Sequence, residues 1–152
     1  MKTNEKTSEI LNDLIQINND RVAGYEKAAN ETNMKDVDLR SLFSELAADS
    51  RRYANELSRY VSVTTEPAEG TTAKGKIYRV WMDVKATFSG KDRKAILASC
   101  EFGEDAAQKA YDEALSSDAD LSVEIRQLIM DQKMSLKKSH DRIKRMRDIQ
   151  PA

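Results

Sequence analysis

Apolar residues recur three and four positions apart along four long stretches of the chain, the spacing that gathers them on one face of an α-helix. The first stretch runs from about residue 4 to 30 and carries Ile10, Leu11, Leu14, Ile15, Val22, Tyr25, Ala28 and Ala29. Gly24 lies inside it and weakens it by about 1 kcal/mol. After a polar break over 31–35, Asp36 or Asp38 can cap a second helix, because a short acceptor side chain satisfies free N–H groups of the first turn. That helix carries Leu39, Leu42, Phe43, Leu46, Ala47, Tyr53, Ala54, Leu57, Tyr60 and Val61. A third helix is predicted over about 91–115, with Ile96, Leu97, Cys100, Ala107, Tyr111 and Ala114 on one face. A break with acidic residues at 116–120 leads to a fourth, over about 121–149, striped by Leu121, Ile125, Leu128, Ile129, Leu136, Ile143 and Met146.

The helical pattern stops between Ser62 and Lys76, where Thr, Gly and Pro make a loop. Ile77, Trp81, Val84 and Phe88 then predict a short amphipathic helix, and Ser89 with Asp92 has the form of a capping box for the helix that follows. Helices one and two, and helices three and four, are thus joined by short loops, while the middle connection, about 62–90, is long. Two helical hairpins with one long crossover is the ferritin-like arrangement of a four-helix bundle. The expectation is a single all-α domain over 1–152.

Composition narrows the function more than it names it. The chain has 152 residues, few Gly and Pro, and a net charge of −1, which argues against a polycationic nucleic-acid binder. No apolar run approaches the roughly 18 residues of a membrane span. The polar start, Met1 to Glu9, does not have the form of a secretory signal, so a cytoplasmic location is expected. A lone cysteine, Cys100, allows no intramolecular disulfide, and a lone histidine, His140, allows no multi-histidine metal site. Gly70 and Gly75 are too sparse for a phosphate loop. Serine-hydrolase chemistry would need His140 with Asp141, and neighbours in a helix are expected to face apart.

The second stretch, from Leu42 through Glu45, Asp49, Arg51, Tyr53 and Ala54 to Leu57, resembles the second helix of rubrerythrin-type domains. Tyr25 to Ala29, Glu101 to Tyr111, and His140 to Ile143 extend the likeness over nearly the whole chain. The chain resembles an uncharacterised bacterial family of ferritin-like four-helix bundles. The resemblance implies a helical bundle, often dimeric, in cytoplasmic proteins linked to stress, and no settled reaction. It also raises a di-iron centre, which takes Glu from two helices and Glu-x-x-His from the other two. Here the second-helix motif falls on Ser50 and Tyr53, and Lys137 stands three residues before His140. The first-helix ligand falls near Leu14 or Ile15, with Asn18 the nearest inward polar residue. Glu104 and His140 remain as metal candidates, and a shifted register would recruit Asp20, Glu26, Glu45, Asp49, Glu101 or Asp105.

Glu104 and Gln132 stand at matching distances from the turn between helices three and four, and Asn18 and Ser50 at a comparable depth in the first hairpin. A polar layer through mid-bundle is expected, because a buried carboxylate needs partners. Tyr25, Tyr53 and Tyr111 and Cys100 are expected in the core. Residues 133–147 hold seven Lys/Arg and one Asp, and 101–120 hold seven Asp/Glu and one Lys. The Trp81 helix must lie across its own bundle or across another subunit, with packing on its own bundle favoured, and it is the candidate partner surface. The favoured function is a non-enzymatic bundle, homodimeric and without a cofactor. The alternative is a di-iron or other divalent-metal protein with oxidase or iron-handling activity.

Overall fold

The computed structural model describes residues 5–32, 34–61, 93–117 and 119–150. They form α1 (Glu5–Glu31), α2 (Val37–Ser58), α3 (Arg93–Leu115) and α4 (Val123–Asp148). Helices α1 and α2 pack closely as one hairpin and α3 and α4 as the other. The hairpins meet through α1 against α3 and α2 against α4.

Pairs across these seams fix the direction of each helix. Asn18 meets Tyr111 and Arg21 meets Glu104, so α1 and α3 are antiparallel. Glu45 meets Arg142 while Gln132 reaches the Tyr53 carbonyl, so α2 and α4 are antiparallel. Helices α2 and α3 therefore run parallel. Arg93, at the start of α3, bonds Asp36 and Asp38 at the start of α2. The chain thus leaves α2 at one end of the bundle and enters α3 at the other, about 33 Å away for a helix of this length. A short loop cannot join those ends, so the sequence expectation of one long crossover agrees with the geometry. The short helix expected around Trp81 lies outside the described residues.

Two helix starts depart from expectation. Asp36 occupies the N-cap of α2 but makes no side-chain cap bond, because its carboxylate takes Arg93 instead. Helix α4 begins after Ser122, whose hydroxyl accepts from the Ile125 N–H at 3.2 Å, rather than at Leu121 after the acidic stretch. Arg145 and Arg147 in its last turn complement the helix dipole.

The core is divided. At the Arg93 end, Tyr25, Ala28, Leu39, Leu42, Phe43, Leu46, Ile96, Leu97, Cys100 and Ile143 pack together. At the other end, Leu11, Leu14, Ile17, Tyr53, Leu57, Ala107, Tyr111, Ile125, Ile129 and Leu136 form a second cluster. Between the two clusters lie buried polar side chains: Asn18, Arg21, Ser50, Glu104 and Gln132.

Candidate functional site

The mid-bundle polar groups form one hydrogen-bonded chain through all four helices. Tyr25 donates its hydroxyl to Glu104 Oε1 at 2.9 Å, and Arg21 Nε donates to the same oxygen at 2.7 Å. Arg21 Nη2 also stands 2.7 Å from that oxygen, and both side chains are completely buried. Arg21 Nη1 reaches Ser50 Oγ, which donates to Asn18 Oδ1 at 3.0 Å. Asn18 Nδ2 donates to Tyr111 Oη at 2.8 Å and to the Leu14 carbonyl at 2.9 Å. Tyr111 donates its hydroxyl to Gln132 Oε1 at 2.7 Å, and Gln132 Nε2 ends the chain by donating to the Tyr53 carbonyl and to Glu56.

Helix periodicity explains why these residues meet. Leu14, Asn18, Arg21, Tyr25 and Ala28 follow one another at +4, +3, +4 and +3, so Asn18 and Arg21 share the stripe of their apolar neighbours. Asn18, Ser50, Glu104 and Gln132, singled out by sequence depth, are buried and linked through Arg21 and Tyr111. Arg21 is the central residue that the sequence reading missed. Its signal was present, since a charged residue three after Asn18 and four before Tyr25 must sit on the inward face.

The electrostatics of the layer are self-consistent. Burial opposes the guanidinium charge of Arg21, but the adjacent Glu104 carboxylate outweighs it, and Arg21 holds its proton more firmly than free arginine. Burial, then the Glu104 charge, push the Tyr25 phenol well above its ordinary range, so it stays a neutral donor. The same two causes raise the Cys100 thiol well above normal. Cys100 is completely buried and is a core residue, not a reactive thiol. Its labelling by a disulfide reagent at pH 8 is expected to be at least about 10³-fold slower than in denaturant, because reaction requires opening of the core. Labelling in seconds under native conditions would contradict this burial.

The two metal candidates do not come together as a pair. Glu104 spends its Oε1 on Arg21 and Tyr25, whereas His140, on α4, faces the outer side of α3. There, His140 Nε2 lies 2.6 Å from Asp105 Oδ1 and 3.8 Å from Glu101 Oε1. Its Nδ1 lies 3.1 Å from Asp141 Oδ1. The rule that neighbours in a helix face apart fails here, because the short Asp141 side chain turns back to the ring. Among the described residues, Glu101, Asp105 and His140 are the one group of His, Cys, Asp and Glu whose ligand atoms converge, all within 4.8 Å. Of the remaining reserve carboxylates, Asp20 is buried, Asp49 is half-buried, and Glu26 and Glu45 are exposed beside Arg51 and Arg142. Trp81 lies outside the described residues.

Part of the uneven charge of the sequence is paired within the molecule. Acidic α3 and basic α4 are neighbours, joined by Lys133 with Asp112 and Arg147 with Glu101, and Arg142 reaches Glu45 on α2. Cations already paired in this way are poorly placed to collect phosphates. No helix among the described residues is long and apolar enough to cross a membrane.

A family model described as a domain of unknown function, DUF2383, matches residues 6–117, and the chain belongs to that family. The matched interval takes in α1 to α3, with Arg21, Ser50 and Glu104, and ends before α4, which carries Gln132 and His140. No curated protein matches the chain.

Proposed function

We propose that this member of the DUF2383 family is a non-enzymatic, ferritin-like bundle in which a buried ion pair stands where a metal centre would lie. One observation carries the reading: the Arg21 guanidinium, fully buried, is bound to Glu104 at the middle of the bundle. A carboxylate cluster of the di-iron kind must have its negative charge balanced by cations. Here a single carboxylate is balanced by a single guanidinium. A divalent ion seated on Glu104 would stand about 4 Å from that guanidinium. At an effective dielectric of 20 the repulsion is about 8 kcal/mol, twice that between unit charges. The residues present therefore do not fit a di-iron group, and Ser50 and Gln132 offer weak neutral donors in place of Glu and His. Oxidase chemistry is not assigned to this core.

From the resemblance we take a cytoplasmic, stress-related setting and action through self-association, with a homodimer as the unit. Exposed Met130 and Met134, one turn apart on α4, support an apolar contact between copies. Sedimentation at micromolar concentration is expected to find a dimer in the parent protein and monomer in Met134→Glu. A monomer at every concentration would overturn the associative role and leave the core reading intact.

A further inference from the structure

Outside the bundle centre, three lone-pair-bearing atoms converge from two helices. Glu101 and Asp105 stand one turn apart on α3, so their carboxylates project from the same face. Across the seam His140 presents its ring from α4. Glu101 and His140 are mostly shielded, with side chains 14% and 18% exposed, while Asp105 at 61% opens the cluster to solvent. The second oxygen of Glu101 is held by Arg147, which leaves Oε1 turned toward the imidazole.

The other side of the ring matters as much. Asp141 Oδ1 lies 3.1 Å from Nδ1, and a proton placed on that nitrogen would leave Nε2 with its lone pair. Nε2 itself faces two carboxylate oxygens, at 2.6 and 3.8 Å. Three such atoms repel one another unless a positive species sits among them. A proton on Nε2 is one solution, and a metal ion is the other. Zinc bound at about 2.0–2.2 Å from nitrogen and oxygen ligands sets those ligands roughly 3.3–3.6 Å apart in a tetrahedron. The observed separations bracket that spacing. A histidine whose far nitrogen is held by a carboxylate is also the usual support of a metal-bound imidazole.

We propose that Glu101, Asp105 and His140 form a binding site for a divalent cation of the zinc type, positioned by Asp141 and separate from the bundle core. Three protein ligands leave a fourth position on the open Asp105 side, where water completes the coordination. The mixed nitrogen and carboxylate donor set suits zinc or cobalt better than calcium or magnesium, which take oxygen alone. The site ties α3 to α4 and does not depend on the reading of the Arg21–Glu104 pair.

Calorimetric titration of the full chain with zinc chloride, in buffer free of chelators, tests this. One ion per chain is expected, with a thermal midpoint that rises on zinc addition. Asp141→Asn is expected to weaken binding by about 10-fold, and His140→Ala by about 100-fold or more. Asp105→Asn, at an exposed position, provides the same loss of affinity without disturbing packing, and Glu45→Gln elsewhere on the surface should bind as the parent does. Cobalt(II) in place of zinc should give visible bands of four- or five-coordinate geometry that vanish in His140→Ala. Absence of binding at 100-micromolar zinc (roughly 100 times a micromolar dissociation constant), or equal binding by parent, His140→Ala and Asp105→Asn, would overturn the site and leave the proton as the species among these atoms. Binding lost in Glu104→Gln but kept in His140→Ala would place the metal in the core and overturn the core reading as well.

Discussion

Arg21→Met alone is expected to destabilise the fold by about 3–5 kcal/mol, because it leaves the Glu104 carboxylate buried without its counter-charge. Glu104→Leu alone should cost a similar amount by stranding the guanidinium. Combining the two is expected to be neutral or to raise stability by about 1–4 kcal/mol, since the pair's gross attraction is offset by the cost of taking both ions out of water. Urea unfolding of the four proteins, followed by far-ultraviolet circular dichroism, provides the comparison. Against a total stability of roughly 5–15 kcal/mol, either single variant stands close to unfolding. The informative quantity is therefore the recovery in the double variant. Losses that simply add would show that Arg21 and Glu104 are not partners. Ser50 and Asn18 keep their mutual bond in the double variant, which limits the number of groups left unsatisfied.

Phe43→Ala is expected to cost about 3–5 kcal/mol, through lost burial and the cavity left behind. Phe43 is completely buried and stacks on the Tyr25 ring, with centroids 5.7 Å apart. Its loss removes packing from the residue whose hydroxyl holds Glu104, so the cavity and the polar layer are coupled. Phe102→Ala is the internal control: Phe102, on α3, is 62% exposed and its truncation should change stability by no more than about 0.5 kcal/mol. Thermal melts of both variants read the contrast. Equal losses would mean that the inward face of the bundle has been misassigned.

The architecture was legible because burial and periodicity are local properties of a helix. Leu39, Leu42, Phe43 and Leu46 on α2 announce their buried face from spacing alone, and the long interval between Ser58 and Arg93 announces the crossover. The polar layer was legible in outline for the same reason. Asn18, Ser50, Glu104 and Gln132 stand at one depth when two hairpins are folded at their turns. The identity of its centre was harder to read. Arg21 was passed over because arginine is a surface residue by default, although its −3 and +4 neighbours, Asn18 and Tyr25, are both inward. The Glu101–Asp105–His140 cluster could not be assembled from one helix. It depends on how α3 faces α4, which sequence spacing leaves open. The turn of Asp141 back to His140 depends on side-chain rotation, which helix periodicity does not specify. The Asp36 cap failed for a related reason, since a tertiary partner, Arg93, competes for the carboxylate.

On the reading proposed here, a guanidinium rather than a metal pair balances the charge at the middle of this bundle. The most direct test of that reading is an Fe(II) challenge under air, followed by dialysis, iron analysis and a near-ultraviolet spectrum. The His140→Ala variant is the protein to use, because it silences the surface cluster. No iron retained above background and no oxo-bridged absorption band are expected. About two irons per chain, with a band that disappears when Glu104→Gln is added, would contradict that reading and restore a di-iron centre to the core.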